Sequence, residues 1–268
     1  MIWPIANVYL SSAGRGRTDA WRYAVTALAA LLLGLTIGAL ILLGVQLTGR
    51  LPPDLATRMQ DPSEPRIFFA AIAANFLSLL AGLVLAARWI QGKRFGDLLG
   101  AWSWRHAAAG AAAWAVILAA LSGLDALIAP EGFKVTVSSA TARLALAAVL
   151  GLVPQIFAEE VIFRGWLTQG LALAFRRPLP AALVSGVLFG SIHLPNGVPQ
   201  AISATIFGVI MALIAMRLGG IAFTTGLHLV NNVFAAVVVV SGQDVFRGVP
   251  GVFSQSTPQL MAFDVAAS

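Results

Sequence analysis

The chain contains no cysteine. That excludes disulfides, thiolate metal sites, a cysteine nucleophile and lipidation on sulfur. Charge is also scarce: Asp, Glu, Lys and Arg make up 10% of the 268 residues, against about 25% in a soluble domain. In their place stand 59% hydrophobic residues and a mean hydropathy of +0.86, the composition of an integral membrane protein. The net charge of +6 fits basic loops facing the cytoplasm and anionic lipid. No basic run is interleaved with aromatic residues, so nucleic acid is not an expected partner. There is no internal repeat and no low-complexity linker.

Apolar runs divide the chain into about seven expected spans, an all-α polytopic bundle. Tyr23–Gly49 carries no charge and exceeds the apolar core of a signal peptide, so it reads as a retained first span. Ile67–Ala87 and Ala107–Leu127 are the second and third. The third contains Asp125 near its end, which reads as structural. A fourth begins near Leu144. Residues 178–216 hold no charged side chain, too long a run for one helix across a core about 30 Å thick. His193-Leu194-Pro195-Asn196-Gly197 supplies turn chemistry that splits this run in two. Arg217-Leu218-Gly219-Gly220 reads as a tight turn, and Ile221–Val240 as the last span. Residues 1–20 look irregular. The polar tail 241–268 is expected outside the bilayer, with Leu260–Phe263 resting on it.

Lys and Arg placement sets the expected orientation. With a cytoplasmic N-terminus, that side holds ten basic residues: Arg15, Arg17, Arg22, Arg88, Lys93, Arg94, Arg105, Arg176, Arg177 and Arg217. The other side holds six: Arg50, Arg58, Arg66, Lys134, Arg143 and Arg247. Arg164 is left out of both counts because it belongs to a cluster.

That cluster is Glu159-Glu160-Val161-Ile162-Phe163-Arg164. An intramembrane charge costs about 2.5–3.5 kcal/mol on insertion scales, so three in six residues need partners and a reason. If the helix ended at Arg164, the glutamates would lie at the surface, far from His193. If it continues to Phe175 and emerges at Arg176-Arg177, Glu159 sits about 25 Å from that end at 1.5 Å per residue. His193 then lies about 24 Å beyond Arg177, and His228 about 17 Å beyond Arg217. All three fall at comparable depth, which points to one buried polar site among the last four spans. Glu160 and Arg164 are spaced i, i+4 and share a helix face, as a buried arginine's need for a carboxylate demands. Glu159 is rotated by about 100°. It is expected to lack a partner on its own helix, and is the better candidate for a general base. His228 with Asn232, and Phe189 with His193, repeat the i, i+4 spacing.

Glu159-Glu160-x-x-x-Arg164, Phe189-x-x-x-His193 and His228-x-x-x-Asn232, in this order and inside spans, resemble the motif set of the CPBP intramembrane proteases. These are bacterial relatives of the type II CAAX prenyl endopeptidase. No polar position of the pattern is altered. The resemblance covers about residues 143–240 and divides the chain into an N-terminal three-span region (1–142), a catalytic core (143–240) and a tail (241–268). It implies an intramembrane endopeptidase in a bacterial inner membrane, acting on membrane-anchored proteins or peptides, including prenylated CAAX-type ones. Within it Glu159 and His193 would activate water, and His228 and Asn232 would hold the oxyanion. Glu160, Arg164 and Phe189 would support the site. Family members have also been discussed as metalloenzymes; a zinc ion would take Glu159, His193 and His228. The metal-free reading is preferred, because no His-Glu-x-x-His element is present and Asn232 is a poor zinc ligand but a good oxyanion donor.

Two other functions compete. A serine protease using Ser191 with His228 leaves both glutamates, Arg164 and Asn232 unexplained. A non-catalytic immunity or scaffold protein, or a proton-coupled carrier, would keep the cluster without turnover; the absence of a second carboxylate relay counts against a pump.

Overall fold

The structure, a computed structural model, describes residues 5–49, 52, 54–242 and 245–256. Arg50 and the proposed tail contact Leu260–Phe263 lie outside them. Five helices are long and apolar enough to cross a membrane. They are α2 (Ala20–Gln46), α4 (Pro65–Ala86, extended by a π turn to Gln91), α6 (Trp104–Ile128), the continuous helix Ser139–Phe175, and α10 (Val198–Leu218). Two shorter apolar helices, α9 (Pro178–Ser191) and α11 (Ala222–Val233), complete seven. The protein is an integral membrane helical bundle.

Local chemistry sets the helix ends. Ser103 accepts from the His106 amide and caps α6. Ser138 and Thr141 form a reciprocal capping box at the start of the fourth long helix, satisfying amides that the helix itself cannot. That helix is built of α7 (Ser139–Glu159), a π segment (Glu160–Leu167) and α8 (Thr168–Phe175). It stops where Arg176 turns left-handed, at φ 52°. Pro178 then opens α9, a first-turn position where proline's missing N–H costs nothing. Gly219, at φ 85°, ends α10.

Without a hydrophobic drive between helices in lipid, close backbone contact holds the bundle together. α6 and α11 show it: a Cβ on Gly226 would lie 1.8 Å from the Ala107 carbonyl oxygen, and one on Gly110 would lie 2.1 Å from that of Phe223. Phe69 of α4, Leu144, Leu152 and Ile156 of α7, and Phe246 of the tail form one core.

One expectation changes, and two further regions gain detail. Residues 1–20 are not wholly irregular: Asn7–Ala13 forms α1, whose Tyr9 is fully buried. The basic loop after α4 contains α5 (Phe95–Leu99), with Lys93 and Asp97 buried. The described part of the tail adds a strand. Its strand β3 (Phe253–Gln255) runs antiparallel to β1 (Phe133–Val135) and parallel to β2 (Val239–Ser241). Gln255 donates to Asp125, so the tail gives one oxygen of a carboxylate on α6 a partner that local sequence could not supply.

Candidate active site

The cluster Glu159–Arg164 sits where α7 passes into the π segment. A π turn inside a helix is uncommon and accompanies functional sites. Its effect here is to place both glutamates against one imidazole. His228 Nδ1 lies 2.9 Å from Glu160 Oε1, and His228 Nε2 lies 3.6 Å from Glu159 Oε2. Glu160, Arg164 and His228 are buried, and Glu159 is 3% exposed. Arg164 Nη1 is 3.0 Å from Glu160 Oε1. That contact is close enough for an ion pair, but the Arg164 nitrogens make no aligned hydrogen bond. The guanidinium instead stacks over the Phe189 ring, 4.3 Å from its centroid, a favourable cation–π arrangement when desolvated.

The π segment has a cost that other elements offset. The Thr168 amide closes onto the Phe163 carbonyl, five residues back, and the helix then resumes α pitch. The carbonyl skipped at that step is Arg164's, and Tyr9 of α1 donates its hydroxyl to it. Thr168 Oγ1 also donates to Phe163 O, and its lone pair faces the Ser185 hydroxyl on α9 at 2.8 Å.

Glu159 does have a partner on its own helix, contrary to the expectation from spacing. Gln155 Nε2 donates to Glu159 Oε1 at 3.1 Å, leaving Oε2 as the oxygen facing His228. Gln155 was legible as an i−4 neighbour, but its role was not, since a glutamine in a span has many uses.

Phe189 is the hub of the three motifs. Its ring lies 4.8 Å from that of His193, 6.0 Å from that of His228 and 5.0 Å from that of Phe163. His193 follows the end of α9, half-buried, with Nδ1 2.8 Å from the Phe189 carbonyl. A carbonyl can only accept, so Nδ1 carries the proton and the neutral ring keeps its lone pair on Nε2. No hydrogen bond joins His193 to Glu159 among the described residues. A cavity of about 440 Å³ is lined by Gln155, Phe189, His193, His228, Asn231 and Asn232 among others. The Asn232 Oδ1 accepts from Asn231 Nδ2 at 3.2 Å, and Asn231 Oδ1 from Trp114 Nε1 at 3.0 Å. Trp114 and Asn231 carry no sequence signal that sets them apart from other residues of a span.

Ser191 is exposed and donates to the Leu188 carbonyl; it makes no pair with His228. Among the described residues no group of three His, Asp or Glu side chains is disposed to hold a metal ion. Both His228 nitrogens face carboxylates, and His193 stands apart beyond Phe189, so Glu159, His193 and His228 as arranged do not form a zinc ligand set.

The family model described as type II CAAX prenyl endopeptidase Rce1-like matches residues 140–234. The chain is 27% identical over 263 residues to the uncharacterized protein YyaK of Bacillus subtilis (strain 168), covering 92% of this chain and 88% of that protein. No solved structure matches the chain. This similarity supports CAAX-type intramembrane protease activity in general terms. The three motifs and the family model fall on the same stretch, and over residues 140–234 the chain is similar to the type II CAAX prenyl endopeptidase Rce1-like family.

Proposed function

We propose that the protein hydrolyses a peptide bond of a membrane-anchored protein, with water activated by Glu159 and His193. The observation that carries this reading is the placement of His228 between two buried carboxylates beside a polar-lined cavity. Net charge decides the proton count. Glu159, Glu160 and Arg164 as ions sum to one negative charge, and an uncompensated buried charge is strongly unfavourable. One further proton, carried by either His228 or Glu159 where Nε2 and Oε2 face each other at 3.6 Å, makes the cluster neutral.

With that proton on His228, Glu159 is a free base and Nε2–H is a donor. A water between Glu159 and the His193 lone pair attacks the scissile carbonyl carbon and gives its proton to Glu159. The carbonyl oxygen becomes an oxyanion, held by His228 Nε2–H and the Asn232 amide. Collapse breaks the C–N bond, and Glu159 returns the proton to the leaving amine. Glu160, beside Arg164, accepts from His228 Nδ1 and keeps the imidazole oriented. No step requires a cofactor or metal. The substrate class is a membrane-associated protein, with prenylated CAAX-type chains one member.

Proteomics of membrane fractions tests this. Fragments made by the wild type should disappear with Glu159→Gln, which is nearly isosteric but takes no proton, a loss of roughly 10²–10⁴ in rate. They should persist with Ser191→Ala and in the presence of chelators. Unchanged fragments with Glu159→Gln would overturn the reading in favour of a non-catalytic role. Zinc-restored activity after chelation would overturn the metal-free step alone. The basic-residue asymmetry supports a cytoplasmic N-terminus in a bacterial inner membrane. A reporter fused after Ser268 should therefore be active only when it works outside the cytoplasm.

A further inference from the structure

Trp114 and Asn231 stand outside the three motifs, and together they decide which way the Asn232 amide points. A side-chain amide has an acceptor end and a donor end of nearly equal size, and its neighbours select the orientation. The indole Nε1–H can only donate. It lies 3.0 Å from Asn231 Oδ1, which fixes that oxygen toward α6. The Asn231 Nδ2 is thereby directed to Asn232 Oδ1, 3.2 Å away. The acceptor end of Asn232 is then engaged, and its donor end is turned away from Asn231. Reversing Asn232 would set two NH₂ groups against each other, and reversing Asn231 would leave the indole facing a donor. The polarity of the whole chain is set by the one member that cannot reverse.

We infer that Trp114 is a positioning residue for hydrolysis: acting through Asn231, it holds the Asn232 amide with its N–H end presented to the substrate carbonyl oxygen. This rests on the role of Asn232 proposed above. Its geometric setting is independent of that role. The Trp114 ring packs edge-on against Phe207 at 6.0 Å, and Phe207 in turn lies 5.2 Å from His228. All of these residues line the same cavity. Trp114 belongs to α6, outside residues 140–234, so the third span contributes directly to a site whose motifs all lie further along the chain.

The experiment is a double-mutant cycle on the full chain in lipid vesicles, with a farnesylated CAAX-type quenched peptide as probe. Trp114→Phe removes the N–H and keeps an aromatic ring. It should lower kcat roughly tenfold, the effect of one misdirected hydrogen bond, with KM and melting temperature unchanged. In an Asn232→Ala background the same substitution should cost nothing further, because the group it positions is gone. Equal losses in both backgrounds would show a merely structural tryptophan and overturn the inference. A second readout needs no turnover. The Trp114 indole N–H resonance, identified by its disappearance in Trp114→Phe, should shift in Asn231→Leu. An unmoved resonance overturns the relay, whether or not the peptide is cleaved. No cleavage of the peptide by the wild type would instead sink the protease reading and leave the relay standing on its resonance.

Discussion

α2 and the long helix Ser139–Phe175 are the two extremes of the bundle. In the most apolar stretch of α2, 11% of residues are buried; in that of Ser139–Phe175 the share is 50%. α2 turns Leu28, Leu32, Leu35 and Leu40 outward, all more than half exposed. The other helix holds Glu159, Glu160, Arg164, Thr168 and Gln169 with almost no exposure. In water the apolar helix would be the core. In a bilayer its surroundings are already apolar, so it has least reason to be covered, and the polar helix has most. Burial here follows the need of polar groups for partners.

The comparison predicts where substitutions hurt. Arg164→Ala strands Glu160 and should have the largest effect on stability, about 3–5 kcal/mol, read as poor expression and early melting. Normal stability would mean that the pair contributes little and that the Phe189 stacking is incidental. Leu152→Ala, at a fully buried site on α7, should cost about 2–5 kcal/mol through the cavity it leaves. Leu35→Ala on α2, where lipid fills the gap, should stay within about 0.5 kcal/mol. Equal costs for the two leucines would break the contrast.

Another buried charge sharpens it from outside the spans. Lys93 donates to the carbonyls of Ser12 and Ala13 at the end of α1. Burial first, and the Arg15 cation after it, push its pKa down to about 8, with Asp97 opposing. The folded value lies below the ordinary 10.5, so across that window the unfolded chain holds a proton that the folded chain has released. Stability should therefore rise modestly with pH between about 8 and 10.5. Melting temperatures through that range should climb for the wild type and flatten for Lys93→Met.

The sequence alone determined the bundle and the punctuation of its helices, and it nominated the residues of the candidate site. These rest on signals carried locally: runs of apolar residues as long as a bilayer is thick, Gly, Pro and Ser at helix ends, and ionisable residues that lipid does not tolerate without cause. The expectation that Glu159, His193 and His228 share a depth likewise came from counting the rise of a helix. Tertiary structure decided who touches whom. α-helical spacing separates Glu159 from Glu160, yet the π segment brings both onto His228, and that segment persists with Tyr9 of α1 bonded to its skipped carbonyl. Gln155 on Glu159, Trp114 on Asn231 and the tail's Gln255 on Asp125 are likewise products of packing. A hydrogen bond between residues up to 155 positions apart leaves no trace in local pattern, because its direction and its partner exist only once the helices are assembled.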